Sequence, residues 1–358
     1  MSDDILRVEG LKTVFRTFSG EINAVDDVSF TLARNETLGI VGESGCGKSV
    51  TARSIMKLIE FENGRIETGS IEYRPSPEEA VDITGLDFKG EDIRSIRGNH
   101  IAMIFQEPMA SFNPVFPIGK QMAEVLRYHL NMSKYDARER AIEMLDRVKI
   151  PNASQRFDEY PHEFSGGMRQ RAMIAMAISC NPELLIADEP TTALDVTVEA
   201  QILELLNQLE AEQQMTTIII THDMAVIGEM TDKVMVMYAG RLAEYADSPS
   251  LFSNPLHPYT QALLKSIPRI GSKDELFSIE GSVPSLLDLP QGCYFAPRCP
   301  FAMEHCHRIA PPTFEPEEGH KVRCWLYGKP GDGTEVRPAP PTANEAIPEA
   351  GEASEQTE

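Results

Sequence analysis

Short apolar runs recur along this chain, separated by longer stretches whose apolar residues fall at helical spacing. Leu38-Gly39-Ile40-Val41, Ile101-Ala102-Met103-Ile104-Phe105, Leu184-Leu185-Ile186-Ala187 and the β-branched run Thr216 to Ile220 read as buried strands. Ala52, Ile55, Met56 and Ile59 follow the first run at helical intervals, and Val198, Ile202, Leu205, Leu206 and Leu209 form one stripe before the last. Strands alternating with helices predict a parallel sheet, with functional residues at the carboxyl ends of its strands.

The rest of the pattern falls around this core. Residues 5–41 hold further β-rich runs, among them Ala24-Val25 and Val28-Ser29-Phe30, and residues 65–104 read as strands split by the polar insertion RPSPEEAVDITGLDFKGED. Gly119 to Leu130 and Asp136 to Val148 predict helices, punctuated by Pro114, Pro117 and Pro151. Ser165 is placed to cap a long helix running to Cys180. Residues 107–180 therefore read as a mostly helical insertion into an α/β core. Lys233 to Ala246 predicts a hairpin turning at Ala239-Gly240, and LHPYTQALL, at 256–264, opens a separate C-terminal module. The expected organisation is an α/β domain over residues 1–250, a module over 251–330 and a tail over 331–358. That tail is rich in Pro, Ala and Glu, has seven acidic residues against one Arg, and is expected to be disordered.

Composition narrows the functional classes. A net charge of −22 and a pI of about 4.8 argue against coating nucleic acid, which needs clustered Lys and Arg. No apolar run approaches the roughly 18 residues that would cross a bilayer, and MSDDILRVEG has neither the basic nor the apolar region of a secretory signal. A cytosolic chain, held at a membrane only through a partner, is expected.

The first buried run leads into GESGCGKS, Gly42 to Ser49. Between a strand and a helix start, this is the pattern of a phosphate-binding loop. Its glycines let the backbone wrap a polyphosphate, with N–H groups converging beside the positive helix end. Gly42, Ser44, Gly45, Cys46, Gly47, Lys48, Ser49 and Val50 are the candidate ligands: Lys48 for the β- and γ-phosphates, Ser49 for Mg²⁺. Asp188, ending the run before Glu189-Pro190, is the carboxylate expected to organise Mg²⁺, and Glu189 can polarise a water for attack on the γ-phosphate. Phe15 is the first candidate for stacking on an adenine ring and Phe18 the second.

GESGCGKS, Gln106, FSGGMRQR, LLIADEP, TALD and ITHD, in this order and spacing, resemble the ATPase subunits of ATP-binding cassette transporters. The resemblance covers residues 5 to about 330. It implies an α/β fold: a P-loop NTPase core with a parallel sheet, an antiparallel β subdomain and an inserted helical subdomain. It also implies ATP and Mg²⁺ as ligands. Gln106 is similar to the family's Mg²⁺-sensing glutamine, Ser165, Gly166 and Gly167 to its signature, Asp195 to its D-loop aspartate, and His222 to its switch histidine. In such proteins the signature of one subunit closes over the nucleotide held by another, so two ATPase subunits are implied. Here the signature reads FSGGM where LSGGQ is commoner: Phe164 keeps the apolar anchor, while Met168 lacks an amide.

Four of the six cysteines, Cys293, Cys299, Cys306 and Cys324, fall within 32 residues. Four soft thiolates suit zinc or an iron–sulfur cluster. The absence of a tight two-cysteine knuckle slightly disfavours zinc, and His305 and His307 are further candidate donors. LHPYTQALL, PRCPFA and these cysteines resemble the C-terminal module of dipeptide and oligopeptide import ATPases. That resemblance implies a [4Fe–4S] cluster on the four cysteines, making the stretch a small metal-cluster module. It also implies two permease subunits, a second ATPase subunit that is a related but different chain, a periplasmic peptide-binding protein and a place on the cytoplasmic face of a bacterial inner membrane. Import of another cargo, such as nickel or glutathione, or soluble non-transport work are the competing expectations.

Overall fold

The computed structural model describes residues 3–18, 20–192, 194–267 and 279–329, and the acidic tail over 331–358 lies outside them. Two sheets organise the fold. The strands in chain order are β1 (Asp4–Thr17), β2 (Gly20–Ala33), β3 (Thr37–Val41), β4 (Gly64–Ser76), β5 (Glu79–Asp82) and β6 (Ile101–Ile104). They continue with β7 (Leu184–Asp188), β8 (Thr216–Ile220), β9 (Lys233–Tyr238), β10 (Arg241–Asp247), β11 (Phe314–Glu317) and β12 (His320–Val322). One sheet is antiparallel, in the order β2-β1-β4-β5. The other runs β11-β12-β10-β9-β3-β8-β7-β6.

The uniformly apolar runs are the centre of the larger sheet. From β9 to β6 its pairings are parallel, and β3, β7 and β8 are buried at every residue. Strands covered on both faces have no polar side to show, so their sequence does not alternate. Successive residues still part to opposite faces. Ile101 and Met103 pack with β1, β2 and the helix Lys48–Ile55, while Ala102 and Ile104 pack with the helices Ile118–Leu130, Lys134–Arg147 and Gly166–Ile178. The sheet thus divides two cores, one against the antiparallel sheet and one against the helical insertion.

The expected parallel sheet is mixed at one end. β9 and β10 form the hairpin at Ala239-Gly240, and β12 then pairs antiparallel with β10, placing Glu244 opposite Val322. The C-terminal stretch therefore continues the main sheet. Glu244 fixes this junction: fully buried, it accepts the N–H groups of Leu256 (2.7 Å) and His257 (2.8 Å) and lies 2.7 Å from His320 Nε2. The polar insertion, too, is structured, supplying β5 and the helix Glu91–Ile96. Among the described residues no helix is long and apolar enough to cross a membrane.

Candidate active site

Because β3, β8, β7 and β6 are parallel, their carboxyl ends open at one edge of the sheet. There they deliver, in spatial order, the glycine loop, Thr221-His222, Asp188-Glu189 and, just beyond β6, Gln106.

The loop's glycines meet strict backbone demands. Gly47, before the helix Lys48–Ile55, has φ of 99°, and a Cβ there would stand 2.4 Å from Ala24 O. Gly42 has φ of 152°, and its Cβ would meet Met237 O at 2.2 Å. Lys48 is buried and donates from Nζ to the carbonyls of Gly42 (2.7 Å) and Glu43 (3.2 Å), so its ammonium is held inside the loop. Ser44 and Gly45 are exposed at the tip, while Cys46 is buried and its thiol pushed up by that burial.

Ser49 Oγ donates to Asp188 Oδ1 at 2.8 Å, joining the loop to β7 across 139 residues of sequence. Burial pushes the Asp188 carboxyl up, and the Ser49 hydrogen bond opposes that shift. A hydroxyl beside a buried carboxylate is a hard oxygen pair of the kind Mg²⁺ selects. Glu189 adopts φ of 46°, uncommon for a residue with a side chain, and its N–H is held by Ile220 O at 2.9 Å. Its Oε2 accepts from Gln106 Nε2 (2.9 Å) and Thr192 Oγ1 (2.8 Å) and lies 3.9 Å from His222 Nδ1. The His222 side chain is 68% exposed and open to a ligand. Thr192 was not among the expected site residues. Its signal is only a threonine three residues past Glu189, in PTTALD.

Other candidates stand apart from this cluster. Ser165 accepts Met168 N–H (3.3 Å) as cap of the helix Gly166–Ile178, and Asp195 accepts Val198 N–H (3.0 Å) as cap of the helix Val196–Gln213. A Cβ on Gly167 would meet Val198 Cγ1 at 2.8 Å, so this glycine lets the two helix starts approach. Ser165 and Gly166 are exposed, and among the described residues neither side chain nor backbone hydrogen-bonds the phosphate loop. Phe15 packs over Gly64 in the antiparallel sheet, and Phe18 is wholly exposed.

The four C-terminal cysteines are free thiols lining one small cavity, about 20 Å³, with His257, Phe295, Phe301, Met303 and Trp325. Burial pushes Cys299 up to about 12 and also raises Cys293 and Cys324. Cys293 N–H donates to Cys306 O at 2.7 Å, tying two of them through the backbone. His305 stacks edge-on against Trp325 and His307 is exposed. Among the described residues no three His, Cys, Asp or Glu side chains converge as ligands of a single metal ion.

A phosphate loop, a buried strand-end aspartate and a glutamate gripped by Gln106 and Thr192 on a parallel sheet define a P-loop ATPase of the cassette type. Residues 25–192 match the ABC transporter family, and residues 243–306 the oligopeptide/dipeptide transporter C-terminal region. A putative peptide import ATP-binding protein of Brucella abortus is 52% identical over 327 residues, covering 89% of this chain and 96% of that protein. The oligopeptide transport ATP-binding protein OppD of Escherichia coli is 50% identical, covering 90% and 94%. The dimeric ATP-binding cassette MJ0796, bound to ADP and phosphate, shares the fold over 68% of this chain and 98% of its own, with a TM-score of 0.59 at 24% identity. This chain belongs to the ATP-binding subunits of ABC transporters.

Proposed function

We propose that this chain is the ATP-hydrolysing subunit that powers an importer of dipeptides or oligopeptides. The observation that carries this reading is the joining of Ser49 to Asp188 and of Gln106 and Thr192 to Glu189 at one sheet edge. This lies in a chain about half identical to peptide import ATP-binding proteins over most of its length.

In this reading the loop from Gly42 to Val50 wraps the phosphates and Lys48 supplies the charge facing the β- and γ-phosphates. Ser49 and Asp188 hold Mg²⁺, with Gln106 at its edge. Glu189 orients and deprotonates the attacking water, and His222 stands over the γ-phosphate. Phe15, with Phe18 as the alternative, stacks on the adenine. Ser165, Gly166, Gly167 and Asp195 serve the nucleotide of a second ATPase subunit, a homologous but different chain; the exposure of Ser165 and Gly166 supports this. ATP then joins two ATPase subunits, and its hydrolysis parts them. Two permease subunits in the bacterial inner membrane receive the motion on their cytoplasmic side, and a periplasmic binding protein brings the peptide.

The donor set of the cysteine cavity fits a [4Fe–4S] cluster held by Cys293, Cys299, Cys306 and Cys324. All four thiols line the one cavity, and four soft thiolates are the donor type of an iron–sulfur cluster, with a single zinc ion as the alternative. Such a group would cross-link the fold through four bonds to sulfur.

Glu189→Gln tests the catalytic assignment. The amide keeps the size of the side chain and removes the base, so ATP hydrolysis should fall by about 10²- to 10⁴-fold while ATP binding persists. Hydrolysis within a few fold of wild type would remove Glu189 from that role.

A further inference from the structure

The second residue of the phosphate loop is acidic, an unfavourable charge for a loop that must wrap a polyphosphate. Glu43 follows Gly42, and its carbonyl lies 3.2 Å from Lys48 Nζ. Its carboxylate is taken up by a residue 255 positions away. Arg298 Nη1 and Nη2 donate to its two oxygens at 2.6 and 3.0 Å, a bidentate pair in which the Arg298 side chain is only 5% exposed. The guanidinium is fixed on its other sides, donating to Glu280 O (2.9 Å), Ile279 O (3.2 Å) and Tyr238 Oη (3.2 Å). A second tie runs beside it. Glu43 N–H donates to the hydroxyl of Tyr259, a fully buried ring packed against Tyr238 and Phe295. Arg298 and Tyr259 both belong to the C-terminal stretch, and Arg298 directly precedes Cys299.

We propose that Arg298 is a positioning residue of the nucleotide site. It cancels the Glu43 charge and, with Tyr259, holds the first turn of the phosphate loop, which makes the C-terminal stretch a working part of ATP binding. A partly buried carboxylate left unpaired there would oppose the incoming phosphates through a medium that screens poorly. The pair also holds the Glu43 backbone, whose carbonyl is one of the two acceptors of the Lys48 ammonium. Arg298 makes none of the bonds around Glu189, so its influence belongs to binding rather than to the chemical step.

This inference rests on the reading of Gly42 to Ser49 as the ATP site. Its test uses the full chain, with ATP dissociation constants from calorimetry and KM and kcat for hydrolysis. Arg298→Ala should raise the ATP Kd and KM by about tenfold and leave kcat within about twofold. The double variant Glu43→Ala/Arg298→Ala removes the stranded charge and should bring Kd back to within about threefold of wild type. A purely structural role for Arg298 would leave the double variant as weak as the single one. Either that result or an unchanged Kd in Arg298→Ala would overturn the proposal. Lys48→Ala separates the underlying reading: if it bound ATP like wild type, the loop would not be the ATP site at all.

Discussion

Single side chains in this protein are held in states they would not choose in water, and the cost shows in their titration. His257 is buried and accepts Tyr259 N–H through Nδ1, which requires the neutral ring, and burial lowers its pKa from 6.5 to about 4. Between those values the unfolded chain takes up a proton that the folded chain refuses, so stability falls as pH drops through the window. The loss amounts to ~3 kcal/mol when the whole window is crossed. His257→Asn keeps a helix-capping acceptor and has no proton to gain. Urea melts between pH 7 and pH 4 should therefore show a shallower fall in stability for the variant than for wild type. Parallel curves would mean that another group carries the acid sensitivity. Glu189 illustrates a different cost: a left-handed backbone, φ 46°, sets its carboxylate between Gln106 and Thr192.

Elements differ in how much of their role can be read locally. The phosphate loop was legible because its chemistry is contiguous: GESGCGKS sits between an apolar run and a helical stripe, and needs no distant partner to be recognised. Gly47 is its most constrained turn residue, with a positive φ and Ala24 O where a Cβ would stand. Gly47→Ala should weaken ATP binding by at least about tenfold, since the loop must open to relieve the clash; unchanged calorimetric affinity would show that the loop tolerates the shift. The strands ending at Asp188 and Ile220 were equally plain, as short apolar runs. The polar stretch after Arg74 was not. Strand β5 has four residues, only partly buried or exposed, and the helix Glu91–Ile96 buries just Ile93 and Ile96, so neither carries a period long enough to read.

Across the whole molecule, the connections between distant segments carry the least sequence signal. Strand β12 joins β10 about 76 residues upstream, through pairs such as Tyr245 with Lys321, and nothing in either short strand announces the other. The same holds for Arg298 and Glu43. The sequence marks one only as part of a cysteine-rich stretch and the other only as a residue inside the phosphate loop, and it is the fold that puts two oxygens on two guanidinium nitrogens. These contacts join the C-terminal stretch to the main sheet, through β12, and to the phosphate loop, through Arg298. A net charge of −22 argues against a partner that is a nucleic-acid backbone.

The central claim is that this chain spends ATP to move peptides. Its most direct test is to reconstitute the chain with its permease subunits and second ATPase in liposomes, supply a loaded peptide-binding protein, and record ATP hydrolysis and labelled-peptide accumulation together. Accumulation that requires ATP, rises with the loaded binding protein and is lost with Glu189→Gln is the predicted result. ATP hydrolysis that proceeds with no peptide accumulation, or accumulation indifferent to Glu189→Gln, would contradict it.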